Sequence, residues 1–138
     1  MDRKIVDRPE YIDDVRVVND YEDILKAMEN GETIMHFEWG DSLYPIIQNG
    51  EYCKITPLSD KVKVNIGDPV FCHFVYPLTD GGTGDFYMVH RCTDMYKRGD
   101  VTYYKIESTD NQYYGWTKDV YGVAENTNVF QDEKILWE

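Results

Sequence analysis

A chain of 138 residues fits one domain, long enough to bury roughly two thirds of its unfolded surface in a single core without help from metal or disulfides. Its 14 Lys and Arg stand against 26 Asp and Glu, a formal charge of −12, which excludes nonspecific attraction to nucleic acid or to anionic lipid and leaves neutral, basic or apolar partners. Three cysteines, Cys53, Cys72 and Cys92, are an odd number without CxxC spacing and read as reduced thiols in a cytoplasmic setting.

Along the chain, residues 1–19 form a charged N-terminal arm with no apolar core of the length a signal peptide or membrane anchor needs, so no membrane anchor is expected. Asp20 can cap a helix over Tyr21 to Glu29, with Ile24, Leu25 and Met28 on one face and Gly31 past its end. Everything after it reads as strands. Thr33 to Trp39, Tyr52 to Thr56, Pro69 to Val75, Phe86 to Cys92, Val101 to Ser108 and Val120 to Ala124 are short, rich in β-branched and aromatic residues, and separated by Gly, Asp and Asn. Pro77 to Asp85, with its Gly-rich centre, reads as the longest loop and a mobile one, and Lys97-Arg98-Gly99-Asp100 as a hairpin turn. Twelve tyrosines suit half-buried strands. The expected fold is mainly β, a partly closed barrel over 20–125 with one N-terminal helix and a tail over 126–138.

The chemistry concentrates in Trp39-Gly40-Asp41-Ser42-Leu43-Tyr44-Pro45, where a serine follows an apolar stretch. A serine hydroxyl attacks nothing at neutral pH without a base. His90, on a predicted strand, could take its proton, and Asp110, where a strand runs into a loop, could fix the imidazole tautomer. Gly40 would allow close backbone approach, and the Ser42 amide is the expected oxyanion donor. Ser42 read without these partners is a turn serine bonding its own backbone, His90 a satisfied core histidine and Asp110 a loop cap. Cys72-His73 with His90 and Cys92 invites a zinc reading, but Cys72 and His73 point to opposite strand faces, so neither a metal nor any other cofactor is expected. Arg98-Gly99-Asp100 is read as a hairpin tip, Lys61 and Lys63 as a solvated strand edge, and His36 as packing.

Taken in order, Gly40-Asp41-Ser42-Leu43-Tyr44-Pro45, Asn49-Gly50-Glu51-Tyr52, Ile66-Gly67-Asp68-Pro69-Val70, Val89-His90-Arg91, Thr109-Asp110-Asn111 and Val120-Tyr121-Gly122-Val123 resemble blocks of the LexA-like repressor and signal-peptidase superfamily. The resemblance covers about residues 20 to 125. It implies Ser42 as nucleophile, with Leu43 where the family has Met and Pro45 closing the block. It implies His90 as general base, as in the endoplasmic-reticulum and archaeal type of signal peptidase, where LexA-like members use lysine. Asp110 matches the family's Gly-Asp-Asn aspartate, with Thr109 in place of the glycine. No Ala-Gly or Cys-Gly self-cleavage dipeptide and no helix-turn-helix are found.

Two functions are therefore expected to compete. One is a serine endopeptidase that binds a peptide or protein substrate as an added strand beside the segment before Ser42, using Gly40, Asp41, Leu43 and Pro45 around the substrate. The other is a noncatalytic interaction or assembly module of phage or mobile-element descent that keeps the fold and docks a protein partner.

Overall fold

The computed structural model describes residues 9–131 in full and, for two further strands, the backbone alone. In chain order the elements are β1 (Arg3–Ile5), β2 (Tyr11–Ile12), β3 (Val15–Arg16), α1 (Tyr21–Glu29), β4 (Ile34–Phe37), β5 (Glu51–Pro57), β6 (Pro69–Pro77), β7 (Thr83–Arg98), β8 (Val101–Glu107), β9 (Tyr113–Thr117), β10 (Val120–Phe130) and β11 (Ile135–Trp137). The arm over 1–19 and the tail over 126–138 lie partly outside the described residues, although β1 pairs with β11 and β10 carries the sheet through Phe130.

The helix forms where its signals place it. Asp20 accepts from the Glu22 amide at 2.8 Å, filling one of the orphan donors of the first turn. At the other end Gly31, at φ +74°, donates to the Met28 carbonyl while Glu32 donates to that of Ala27, a Schellman close that a glycine enters without strain. Ile24, Ala27 and Met28 face the sheet and are buried.

Seven strands form one antiparallel sheet in the order β4-β5-β10-β6-β7-β8-β9. Period-2 alternation splits its side chains between two cores. Phe71, Val89, Ile55 and Ala124 join the helix on one face, while Val70, Cys72, Phe74, Cys92 and Ile106 fill the other. All four residues of β4 are buried because both its faces are covered: Ile34 packs under the helix, and Met35 and Phe37 meet Ile12, Val15 and Val17 of the β2–β3 hairpin.

The mainly-β chain with a single short helix is as expected, but the sheet is open. Its edge strands β4 and β9 do not pair, so no closed barrel forms among the described residues. Beyond β8 the sheet curls until β9 returns to β6, yet only isolated bonds join them: Thr117 Oγ1 donates to the His73 carbonyl at 2.7 Å and the Tyr76 hydroxyl to the Tyr114 carbonyl at 2.9 Å.

An expected loop and an expected strand edge are otherwise. Pro77 pairs with Thr83, so the long loop shrinks to a tight turn in which Leu78 donates to the Gly82 carbonyl and Gly81 sits at φ +89°. Lys61 and Lys63 lie on no strand; the segment is a turn whose Lys61 and Val62 amides are capped by the Ser59 hydroxyl. Lys97 to Asp100 is the predicted hairpin, with Arg98 opposite Val101.

Gly122 lets the helix settle on the sheet. A Cβ there would lie 2.7 Å from Met28 Sδ, 2.9 Å from the Thr56 carbonyl oxygen and 3.0 Å from Ile55 Cγ2, and the carbonyl cannot step aside without breaking the ladder. Gly122→Ala is therefore expected to cost about 1–3 kcal/mol by overpacking, read as a lower urea midpoint at constant m-value. An unchanged midpoint would show that the helix lifts off freely.

Candidate active site

Ser42 sits on the turn that follows β4. The turn is built by short-range bonds: the Tyr44 amide donates to the Asp41 carbonyl at 3.0 Å and the Ile47 amide to that of Leu43 at 3.0 Å. Leu43 and Ile47 are fully buried, anchoring the turn in the helix-side core, while Asp41, Tyr44 and Pro45 stay exposed. The Tyr44–Pro45 peptide is cis. Gly40 takes φ +91°, a conformation that favours glycine, and its amide is held by Asn49 Oδ1 at 2.8 Å. That amide is thus occupied, and the Ser42 amide remains the oxyanion candidate.

The residue that joins this turn to the rest of the site is Thr109. Its backbone N–H and its Oγ1 both donate to the Ser42 carbonyl, each at 2.9 Å, bridging 67 positions of sequence. Thr109 thereby brings the Asp110 turn against the serine turn. Asp41, Tyr44, Thr109 and Asp110 line an open cleft of about 400 Å³ between them.

Asp110 is exposed and hydrogen-bonded by the buried Ser108 hydroxyl, which also accepts from the Gln112 amide at 3.0 Å. The Ser108 bond, reinforced by backbone amides and by the proximity of His90, holds its carboxyl below the ordinary value. His90 lies mid-strand on β7, opposite Val70, its ring stacked on Tyr114 at 4.4 Å and 10°. Its Nδ1 is buried without a hydrogen-bond partner. Burial pushes its pKa down from 6.5 to about 4, against the pull of the Asp110 charge. On the same strand the guanidinium of Arg91 reaches the Ser108 carbonyl at 3.4 Å, a further tie to the Asp110 turn.

Ser42, His90 and Asp110 thus share one neighbourhood, but the bonds of a relay are not formed. Asp110 is bonded to Ser108 instead of His90, and no hydrogen bond links the Ser42 hydroxyl to His90. Unliganded catalytic sites often tighten only around substrate. Sequence reasoning missed Ser108, Thr109 as a tether and Tyr114 as the ring that covers His90. Ser108 and Asp110, two apart where a strand ends, carry the only local signal, that of a hydroxyl–carboxylate turn.

The histidine environment moves the expected pH response. An unperturbed imidazole base would give activity rising through about pH 6.5. With His90 pushed to about 4, it is already neutral and able to accept a proton above about pH 5, so activity should rise through about pH 4 and lie flat to pH 8. The sign for folding follows from the same displacement. Between about 4 and 6.5 the unfolded chain holds a proton that folded His90 refuses, so stability falls as pH drops through that window. His90→Gln should remove this contribution, seen as a smaller loss of urea midpoint between about pH 7 and about pH 4.5 than in the parent. An equal loss in both proteins would show that burial leaves His90 at its ordinary value.

Comparison with protein families, with curated proteins and with solved structures finds no match. No helix among the described residues is long and apolar enough to cross a membrane.

Proposed function

We propose that the chain is a serine-peptidase-like domain with the partly closed barrel and Ser-His pairing of the LexA and signal-peptidase superfamily, acting in the cytoplasm on a peptide or protein substrate. Ser42 Oγ attacks the scissile carbonyl, His90 takes its proton, the Ser42 amide steadies the oxyanion, and Asp110 supplies negative charge to the imidazolium. The observation that carries this reading is the pair of hydrogen bonds from Thr109 to the Ser42 carbonyl, which holds the serine and aspartate turns face to face across a cleft. The substrate position differs from the one expected. The Val18 amide already donates to the Met35 carbonyl at 2.8 Å, so an extended peptide would run through the Asp41–Asp110 cleft, past Leu43 and Pro45, instead of along β4. Labelling by a fluorophosphonate, with the modified peptide identified by mass spectrometry, tests it. Modification at Ser42 supports the reading, and no modification under conditions that label a control serine hydrolase removes it.

The second reading is the noncatalytic assembly module, and the Asp110–Ser108 bond favours it, because an aspartate committed elsewhere and a His90 closed under Tyr114 are what a retired site would keep. Its docking face would be the exposed aromatic stack of Tyr96, Tyr103 and Trp116, whose rings lie 5.0–5.1 Å apart. Charged substitution of Tyr96 should then prevent co-purification of a partner while Ser42→Ala leaves it untouched.

A further inference from the structure

A second cleft, of about 310 Å³, opens where β4 ends beside the first turn of α1, lined by Asn19, Tyr21, His36, Phe37, Glu38 and Trp39. Glu38 is 8% exposed, and its Oε2 is buried with no hydrogen-bond partner. His36 Nε2 stands 4.0 Å away, beyond hydrogen-bond reach, and the other ring nitrogen of His36 is 3.1 Å from the Val18 carbonyl. The Glu38 backbone is held in place, its amide donating to the Glu51 carbonyl at 3.0 Å and its carbonyl accepting from Gly50 at 2.8 Å.

Glu51, on the neighbouring strand, shows what a structural buried carboxylate looks like in this fold. It is 1% exposed and accepts from the amides of Gln48, Thr127 and Asn128. Glu38 has no such set for Oε2, although an unpaired buried carboxylate costs several kcal/mol. A partner that satisfied Oε2 would offer N–H donors, and one that also carried positive charge would hold the carboxyl ionised. The aromatic walls suit a cation on an alkyl chain: Trp39 stands edge-on to Phe37 at 4.5 Å, and Tyr21 faces His36 at 5.7 Å. A divalent metal would want three or more ligands, and no group of three His, Cys, Asp or Glu side chains among the described residues could hold one.

We propose that this cleft binds a primary alkylammonium group, with Glu38 as its counter-charge and the Tyr21 and Trp39 rings packed along the alkyl chain. The site is independent of the Ser42 chemistry. Burial raises the Glu38 pKa from 4.5 to about 7, so ligand binding draws the carboxyl into its ionised form and strengthens as pH rises. The groups that face it act compatibly. Tyr21 on α1 is pushed up to about 12 by burial and then by Glu38, and Cys53 on β5 is raised well above its ordinary value by burial, so both stay neutral in this range. Glu51 is engaged with its three amides.

Isothermal titration of the full chain with n-butylammonium, Nα-acetyl-lysine amide and triglycine, beside 1-pentanol as the uncharged analogue, tests the proposal. Saturable binding of an amine and none of pentanol is expected, about tenfold tighter at about pH 8 than at about pH 6, with protons released to the buffer. Preference for the lysine amide or for triglycine then tells a side-chain ammonium from a chain terminus. Glu38→Gln should weaken binding at least about tenfold and abolish its pH dependence, and Trp39→Ala should weaken it several-fold. Should Glu38→Gln fail to fold, Trp39→Ala decides alone. No saturable amine binding, equal binding of pentanol, or affinity that these substitutions leave unchanged overturns it.

Discussion

Ser42→Ala is expected to abolish peptide cleavage and fluorophosphonate labelling, a loss of roughly a thousandfold or more, while the protein keeps its fold and urea midpoint. The separation of effects has a specific cause. The serine turn is tied to Thr109 through the Ser42 backbone carbonyl, and the side-chain hydroxyl makes no hydrogen bond among the described residues, so removing Oγ deletes the proposed nucleophile without loosening the turn. Leu43, fully buried next door, continues to anchor it. Cleavage that survives in the mutant would eliminate Ser42 as nucleophile. A cleavage loss matched by an equal loss of stability would show instead that the residue was structural.

The largest expected stability effect lies elsewhere. Phe71 is fully buried in the middle of β6, with the rings of Tyr21, Tyr87 and Tyr121 at 6.0, 5.9 and 5.9 Å around it. It therefore touches the helix, β7 and β10 at once. Phe71→Ala should cost about 3–5 kcal/mol, the transfer free energy of the ring together with a cavity that three neighbours fixed by their own packing cannot close. Against the 5–15 kcal/mol typical of a whole domain, this is a large fraction. Urea unfolding followed by tryptophan fluorescence gives the value, and a cost under about 1 kcal/mol would mean that the tyrosines collapse into the space.

How much of this could be read from residues depends on how local the determining signal is. The helix was legible to its last residue, since Asp20 and Gly31 act within one turn of its ends. Four of the expected strands exist near their expected limits for the same reason, being apolar runs between turn residues. A fifth, Phe86 to Cys92, proves to be the middle of a 16-residue strand, because β7 leaves the core after Cys92, slips register through a bulge and continues as exposed Asp94, Tyr96 and Lys97 paired to β8. β9 went unread because its sequence, Tyr-Tyr-Gly-Trp-Thr, contains a glycine at φ +130° that stands against Phe74, a tertiary contact with no local trace. β10 passes Ala124 into Glu125, Asn126 and Thr127, polar residues that are strand only because β5 lies alongside. At the site, Ser42, His90 and Asp110 could be named individually. That Ser108 would claim Asp110 left only a local hydroxyl–carboxylate signal, whereas Tyr114 covering His90 and Thr109 acting as the clasp depend on side chains meeting across the fold.

The place of β10 in the sheet has a consequence for how the chain comes together. It is paired on one side with β5 and on the other with β6, so the β4–β5 pair and the β6–β9 strands share no ladder except through it. β6 to β9 follow one another as neighbours in sequence and can zip as a meander, at low loop-closure cost, as soon as they exist. β4 and β5 must wait. Their link to that meander forms only after the chain has passed Val120 and folded back more than sixty residues, as in the pairing of Ala124 with Ile55. The last long strand is thus the zip fastener of the domain: a ribosome-bound chain ending short of it would hold a nearly finished curl of four strands beside a helix and hairpin with no sheet to lie on.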